Sequence, residues 1–271
     1  MKIKTVQLRE NNENITLTSY IADGVAGYNA EAILVIPGGG YANVCTEREG
    51  EPIALAFAAR GYNAFVLHYS VGANAKFPAP LVDVSMAIAY IKRHSEEFKI
   101  NPDRIFVTGF SAGGHLTAMI GTMWNHEDVY KNTDIAFGEN KPCGCMPIYP
   151  VITASEGECH LGSFQNLIGS QNPSKEELEY FSLENRVSQE TVPMFITSTA
   201  TDALVPVQSS LYLATALCKN NIPFELHIYP YGPHGLALGN DITSNGNANM
   251  LNERYSRWVD DACAWVKEMF N

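Results

Sequence analysis

Apolar and polar positions along the chain alternate between two kinds of segment. Short continuous apolar runs are typical of strands buried on both faces, whereas apolar residues three or four positions apart predict amphipathic helices. The predicted strands are EAILVI, NAFVLHYSV, NPDRIFVTGF after an initial turn, GCMPIYPVI, PMFITSTA and FELHIYPY. The predicted helices are EPIALAFAAR, which ends at Gly61, PLVDVSMAIAYIKRHSEEF, HLTAMIGTMW and the C-terminal ERYSRWVDDACAWVKEMF.

The order of these segments predicts the fold class. Strands that alternate with helices require an α/β fold with a mostly parallel central sheet, here of about eight strands, and helices on both faces. The segment VQLRENNENITLTSYI alternates on both sides of an Asn-rich turn and predicts an N-terminal antiparallel hairpin. We expect residues 1–271 to form a single domain. A polar, irregular segment at about 153–190, with one or two short helices, is expected to be a cap-like insert at the carboxyl edge of the sheet.

Composition narrows the classes of function. The chain is 46% hydrophobic and 17% charged, which is typical of a folded globular protein. Its net charge of −11 would repel nucleic acid and anionic lipid, so neither is an expected partner. The first lysines precede no signal-peptide core, and no apolar run approaches the roughly 18 residues of a membrane span. We therefore expect a cytoplasmic protein with reduced cysteines.

A metal site is not expected. Cys143 and Cys145 form a C-x-C pair, but no second pair follows at the spacing of a zinc site.

Candidate chemistry centres on Ser111. Residues Gly109 to Gly113 read G-x-S-x-G, with a predicted buried strand running in and a predicted helix running out. Such a sharp turn strains the backbone at the serine, and the flanking positions have room for no side chain. The turn would raise the hydroxyl above the sheet, next to the N–H groups of the helix start. The alternative is a tight strand–helix corner without chemistry.

Serine needs a base, usually a histidine held by an acid. His234 follows a predicted strand and lies in the loop YGPHG, whereas the other six histidines lie within predicted strands or helices or in polar segments without a flanking strand. Asp202 also follows a predicted strand, in STATDALVP. Taken singly, His234 could be an exposed loop residue and Asp202 a turn residue. Together, the chain order Ser111, Asp202, His234 is that of the α/β hydrolases, with each residue at the carboxyl ends of strands.

A glycine triplet, Gly38 to Gly40, follows an early predicted strand. Its exposed backbone N–H groups are suited to binding an oxyanion next to Ser111. A flexible turn or a phosphate loop are the alternatives, but a phosphate loop would require a following Gly-Lys-Ser/Thr. A dinucleotide site would require G-x-G-x-x-G after the first strand, and the chain lacks it.

With these motifs, the chain resembles the α/β-hydrolase superfamily, and within it the small esterases of the hormone-sensitive-lipase and acetyl-xylan-esterase type. The resemblance covers nearly the whole chain, because PGGGY, NPDRIFVTGFSAGGHL, TATDALVPVQSS and YPYGPHGLAL occur in family order. It implies that Gly39, Gly40 and Ala112 donate to the oxyanion, with Tyr41 beside them as a substrate-binding residue. Pro37 stands where the family usually has histidine, and the arginine that usually follows the next strand's tyrosine is replaced by Ser70.

The resemblance implies a serine carboxylesterase that forms an acyl-enzyme on Ser111, with His234 as the base and Asp202 as its acid partner. We expect short acyl groups, acetyl above all, on small-molecule esters such as those of sugars or xylo-oligosaccharides. No cofactor is expected, and homo-oligomer formation stays open. Two alternatives remain: a serine peptidase or amidase of the same fold, and a non-catalytic binding protein built on it.

Overall fold

A computed structural model describes residues 1–23 and 30–269 of the chain. The strands in this part are β1 (Lys2–Arg9), β2 (Asn12–Ile21), β3 (Ala30–Ile36), β4 (Asn63–His68), β5 (Ile100–Phe110), β6 (Gly144–Ile148), β7 (Met194–Thr199) and β8 (Phe224–Tyr229). They form one sheet in the order β1-β2-β4-β3-β5-β6-β7-β8. β1 pairs antiparallel with β2, and β2 with β4, while every other neighbouring pair is parallel. The expected mostly parallel sheet with an N-terminal antiparallel hairpin is therefore confirmed.

Helices cover both faces of the sheet, as expected. They are α1 (Thr46–Glu49), α2 (Glu51–Ala58), α3 (Ala79–Arg93), α4 (Ser95–Phe98), α5 (Ala112–Met123), α6 (Glu127–Tyr130), α7 (Leu161–Ile168), α8 (Lys175–Phe181), α9 (Gln208–Lys219), α10 (Asp241–Ser244) and α11 (Trp258–Glu268). No predicted helix covers α9. No helix among the described residues is both long and apolar enough to cross a membrane.

Alternation along the strands divides the core into two clusters. In β3, Leu34 and Ile36 pack on the face that carries α3, α5 and α9, while Ile33 and Val35 pack on the face that carries α2 and α11. All four side chains are fully buried. From residue 32 to its end the strand is apolar because both of its faces are covered there, as the continuous apolar pattern predicted.

Three predicted boundaries differ from the structure. The helix predicted over PLVDVSMAIAYIKRHSEEF is divided into α3 and α4 at His94, whose Nδ1 lies 2.8 Å from the Tyr90 carbonyl oxygen and so competes with the backbone of the last turn. The turn predicted at the start of NPDRIFVTGF lies inside β5, as a register irregularity opposite β3. The C-terminal helix begins at Trp258, after a 3-10 turn at Tyr255–Arg257, and the last two residues of the chain lie outside the described part.

The segment 153–190 contains α7, α8 and a 3-10 turn at Leu183–Arg186. α8 begins with a capping box in which Ser174 and Glu177 exchange hydrogen bonds between side chain and backbone. The segment is held to the body of the protein where the Leu183 N–H donates to the Ile152 carbonyl oxygen over 3.2 Å.

Candidate active site

Ser111 lies between β5 and α5 on the sharp turn predicted from its motif. Its backbone has φ 55 and ψ −117, a left-handed conformation that non-glycine residues rarely adopt. A Cβ on Gly113 would lie 2.2 Å from the Ile36 carbonyl oxygen, and a Cβ on Gly109 would lie 2.3 Å from Thr117 Oγ1. The two glycines of the motif are therefore required because strand, turn and helix approach too closely for any side chain.

The structure brings the three predicted residues together. Ser111 Oγ lies 2.8 Å from His234 Nε2, and His234 Nδ1 lies 2.7 Å from Asp202 Oδ2. The other oxygen of Asp202 accepts the N–H groups of Leu204 and Val205, each over 2.9 Å, which fixes the carboxylate. A carboxylate can only accept, so Nδ1 carries the imidazole proton and Nε2 accepts from the Ser111 hydroxyl. The arrangement can remove a proton from Ser111.

The glycine triplet follows β3 and passes next to Ser111. A Cβ on Gly38 would lie 3.1 Å from Ser111 Cβ. The Gly38 N–H donates to Glu49 Oε2 over 2.8 Å and is therefore occupied. The N–H groups of Gly39, Gly40 and Ala112 meet no acceptor within residues 1–23 and 30–269. Gly39 and Gly40 have φ of 129 and 64, which only glycine adopts readily.

Tyr41 requires a correction. It was expected to contact substrate, but its side chain is only 1% exposed, and its hydroxyl lies 2.8 Å from His115 Nδ1. His115 lies one turn after Ser111 on α5, and its Nε2 lies 2.9 Å from the Phe181 carbonyl oxygen. Burial lowers the pKa of His115 to about 4, so its ring is neutral at physiological pH. Tyr41 and His115 thus join the glycine loop to the helix that follows Ser111 and to the segment 153–190.

One face of α7 is polar and turned towards the glycine loop. His160, Ser163 and Asn166 are spaced three residues apart, so they lie on the same side of the helix. Asn166 Nδ2 donates to the Gly40 carbonyl oxygen over 2.8 Å, and His160 Nδ1 lies 2.8 Å from Ser163 Oγ. A Cβ on Gly40 would contact both His160 and Ser163 at 3.8 Å. Burial and the nearby His234 lower the pKa of His160, which places this ring at the edge of the site.

A buried ion pair replaces the arginine that the chain lacks after Tyr69. Asp83 is fully buried, and its Oδ2 accepts the Ser70 N–H over 2.8 Å. Its Oδ1 accepts from Arg9 Nε over 2.5 Å, so the cation comes from the N-terminal hairpin rather than from the neighbouring position. The Tyr69 hydroxyl donates to the Pro37 carbonyl oxygen over 2.9 Å, next to the glycine triplet. The loop is therefore supported from a distant segment.

A cleft in the segment 153–190 has a volume of about 1410 Å³. Leu161, next to His160, lines one part of it. Its lining mixes apolar side chains with polar and charged ones, among them Ser155, Glu156, Lys175, Glu176, Glu179 and Arg186. None of the three triad residues lines it.

Within the described part of the chain, no cluster of three or more His, Cys, Asp or Glu side chains could hold a metal ion. All six cysteines, Cys143 and Cys145 included, are free thiols.

Known proteins resemble this chain over most of its length. The BD-FAE family matches residues 20–217. Endo-1,4-beta-xylanase B of Butyrivibrio fibrisolvens is 39% identical over 221 residues, which are 80% of this chain and 34% of that protein. Acetylxylan esterase of Xylanibacter ruminicola is 31% identical over 214 residues, which are 78% of this chain and 42% of that protein. The chain thus spans well under half the length of these two relatives.

A solved structure matches the fold as a whole. The acetyl ester-xyloside bifunctional hydrolase of Caldicellulosiruptor lactoaceticus superposes with a TM-score of 0.81 at 34% sequence identity. The match covers 98% of this chain and 96% of that one.

Proposed function

Because the chain belongs to the BD-FAE family and has the α/β-hydrolase fold, we propose that it is a serine carboxylesterase for short-chain acyl esters. The observation that carries this proposal is the continuous set of hydrogen bonds from Asp202 through His234 to Ser111. A hydroxyl whose proton is already shared with a fixed imidazole is poised to attack a carbonyl carbon. We take residues 1–271 as one catalytic domain with a cap-like insert at 153–190.

In the acylation step, Ser111 Oγ forms a bond to the ester carbonyl carbon while its proton moves to His234 Nε2. The resulting tetrahedral oxyanion accepts hydrogen bonds from the N–H groups of Gly39, Gly40 and Ala112, which have no other acceptor in the described ranges. Collapse of the intermediate breaks the bond to the alcohol, which takes the proton from His234. Asp202 holds the imidazole in the required tautomer and stabilises its cation.

Deacylation repeats these steps with water. His234 removes a proton from the water molecule that attacks the acyl carbon, and then returns it to Ser111 Oγ as the acid is released. The cycle needs no group beyond the residues named, since the nucleophile, base, acid and oxyanion donors all come from this chain.

The proposed substrate carries a small acyl group, acetyl above all, on a polar alcohol such as a sugar or a xylo-oligosaccharide. Support comes from the half-buried His160 beside Gly40, and from the polar and charged side chains among those that line the neighbouring cleft. A sugar hydroxyl can exchange hydrogen bonds with an imidazole, whereas a lipid chain cannot. Two of the similar proteins, an acetylxylan esterase and an acetyl ester-xyloside bifunctional hydrolase, agree with this choice.

The test compares Ser111→Ala with the unmodified protein on p-nitrophenyl esters of increasing chain length and on acetylated xylo-oligosaccharides. We expect serine-dependent acetate release from both substrate types, with rates that fall beyond butyrate. His234→Ala should reduce kcat about as strongly, since the two residues act as a unit. His227→Ala, a half-buried histidine on β8, is the matched control and should keep its activity.

Ester hydrolysis that survives in Ser111→Ala would overturn the nucleophile assignment. Serine-dependent cleavage of aminoacyl amides without cleavage of esters would favour the peptidase alternative. No turnover of any ester or amide would favour the non-catalytic alternative.

A further inference from the structure

A buried carboxylate outside the triad lies beneath the site. Glu49 ends α1 and is only 5% exposed. Its Oε2 accepts the Gly38 N–H over 2.8 Å, and its Oε1 accepts the Tyr149 hydroxyl over 2.7 Å. Carboxylates are rarely buried unless they are paired or fully hydrogen-bonded, so this position needs a reason. The mechanism described above does not use it.

Glu49 joins the loops that carry the oxyanion glycines and the base. Tyr149 follows β6, and its hydroxyl oxygen accepts the N–H of Ala237, three residues after His234, over 3.1 Å. The ring of Tyr149 also packs edge-on against His234, with ring centroids 5.0 Å apart. One carboxylate therefore connects Gly38 on one side to the histidine loop on the other. A tilt of either loop would stretch a hydrogen bond to this group.

Arg48, on the same helix, completes the connection. Its guanidinium donates to the carbonyl oxygen of Gly235, directly after His234, and to that of Thr243. The guanidinium of Arg48 and the carboxylate of Glu49 both lie beside Gly235, because a Cβ on Gly235 would lie 3.9 Å from Arg48 Nη1 and 4.0 Å from Glu49 Oε1. The short helix α1 thus places one cation and one anion near Gly235, the residue that follows the base.

The titratable and polar groups that surround the His234 ring among the described residues are the following. Asp202 faces His234 Nδ1, Ser111 faces Nε2, and Tyr149 faces the ring. Farther out are His160, which is neutral because burial lowers its pKa, and the pair Arg48 and Glu49. Burial is the largest influence and raises the pKa of Glu49, although the Tyr149 and Gly38 donors, His234 and Arg48 each act to lower it. Two donors, the Gly38 N–H and the Tyr149 hydroxyl, point at the oxygens of Glu49, and neither hydrogen bond needs a proton on Glu49. The group therefore acts as a carboxylate.

Building on the proposed esterase function, we propose that Glu49 is a positioning residue and a second anion of the site. It holds the glycine loop in register with the histidine loop, and its charge stabilises the His234 imidazolium that forms when Ser111 gives up its proton. It takes no proton itself and touches no substrate. Proton transfer to His234 creates a cation, and an anion nearby in a water-poor site favours that cation.

The experiment is Glu49→Gln, which keeps the shape and removes the charge. The dependence of kcat/KM on pH is measured with p-nitrophenyl acetate, and the titration of the His234 imidazole is followed by NMR in histidine-labelled protein. Loss of a nearby anion makes the imidazolium easier to deprotonate, so both midpoints should move to lower pH by about 0.5–1 unit. The plateau value of kcat should fall roughly tenfold, with KM changed less, because the loops lose register.

Two control variants make the result specific. Glu47→Gln removes the same charge from an exposed position on the same helix and should shift neither midpoint. Tyr149→Phe removes the hydroxyl that joins Glu49 to the histidine loop but leaves Glu49 itself in place, so it should lower kcat and move the midpoints less than Glu49→Gln does. Melting temperature separates these effects from a loss of folded protein.

A folded Glu49→Gln variant with both midpoints unchanged would overturn the inference, even if its activity were low. The esterase proposal is judged separately by Ser111→Ala on the same substrate. If Ser111→Ala kept its activity, the proposed function would fail, while the NMR titration would still report whether Glu49 stabilises the imidazolium.

Discussion

The buried His115 makes the stability of this protein depend on pH in a way that can be calculated. Its pKa falls from 6.5 to about 4 because burial penalises the charged ring, which lies against Tyr41 and the aromatic ring of Phe164. As pH falls, the unfolded chain therefore takes up the proton first. The contribution of neutral His115 to stability is complete above about pH 6.5 and is lost progressively down to about pH 4. Between pH 7 and pH 5 the loss is about 2 kcal/mol, at roughly 1.4 kcal/mol for each pH unit between the two pKa values.

The assay compares urea unfolding of the unmodified protein and of His115→Gln at pH 7 and pH 5. Glutamine keeps a donor for the Phe181 carbonyl oxygen and an acceptor for the Tyr41 hydroxyl, but it does not titrate. The free energy of unfolding should fall by about 2 kcal/mol more in the unmodified protein than in the variant over this interval. All other titrating groups are common to both proteins, so their effects cancel. An equal fall in the two proteins would refute the reasoning that His115 is held neutral by burial.

Two further substitutions test the turn at Ser111 and the polar face of α7. Gly113→Ala places a Cβ 2.2 Å from the Ile36 carbonyl oxygen and should lower Tm by about 6–12 °C in a thermal melt. The control is Gly162→Ala, where the atom nearest to the new Cβ is 3.7 Å away. Equal melting temperatures of the two variants would contradict the required close approach at Gly113. His160→Ala should raise KM several-fold for acetylated xylo-oligosaccharides and leave p-nitrophenyl acetate nearly unchanged, and steady-state kinetics that show the same loss on both substrates would count against contact with the sugar.

The architecture could be predicted from the sequence because a strand buried on both faces is a continuous apolar run, which can be recognised without knowing its neighbours in the sheet. β3 is apolar at every position that the sheet covers, and the N-terminal hairpin alternates where only one face is covered. The turn at Ser111 leaves an equally clear signal, since its glycines are required by close contacts, those of Gly109 within the strand–turn–helix unit and those of Gly113 with the carbonyl oxygens of Ile36 and Pro37. The meeting of Asp202 and His234 with Ser111 could be predicted because the carboxyl ends of parallel strands share one edge of the sheet.

What the sequence did not reveal depends on contacts between distant segments. Glu49 lies in the run TEREGEP, which looks like an ordinary exposed helix start, and only the positions of Gly38 and Tyr149 bury it. Arg9 reaches Asp83 from the N-terminal hairpin, 74 residues away in the chain. The resemblance implies a substrate contact for Tyr41 beside the oxyanion glycines, but its side chain is buried and its hydroxyl lies 2.8 Å from His115 Nδ1, on a helix 74 residues away in the chain.

The polar face of α7 shows the same limit. His160 has no strand before it and sits in a polar segment, so no local pattern distinguishes it from an exposed histidine. Its place beside Gly40 depends on how the segment 153–190 folds back over the glycine loop.

The most direct test of the central claim is to find the residue that becomes covalently modified. The protein is treated with an organophosphate ester, which esterifies activated serines, and the adduct is located by peptide mass spectrometry while residual esterase activity is followed. We predict one adduct per chain, on Ser111, with activity lost in proportion to labelling, and no labelling in Ser111→Ala. An adduct on another residue, or full inhibition without modification of Ser111, would contradict the account.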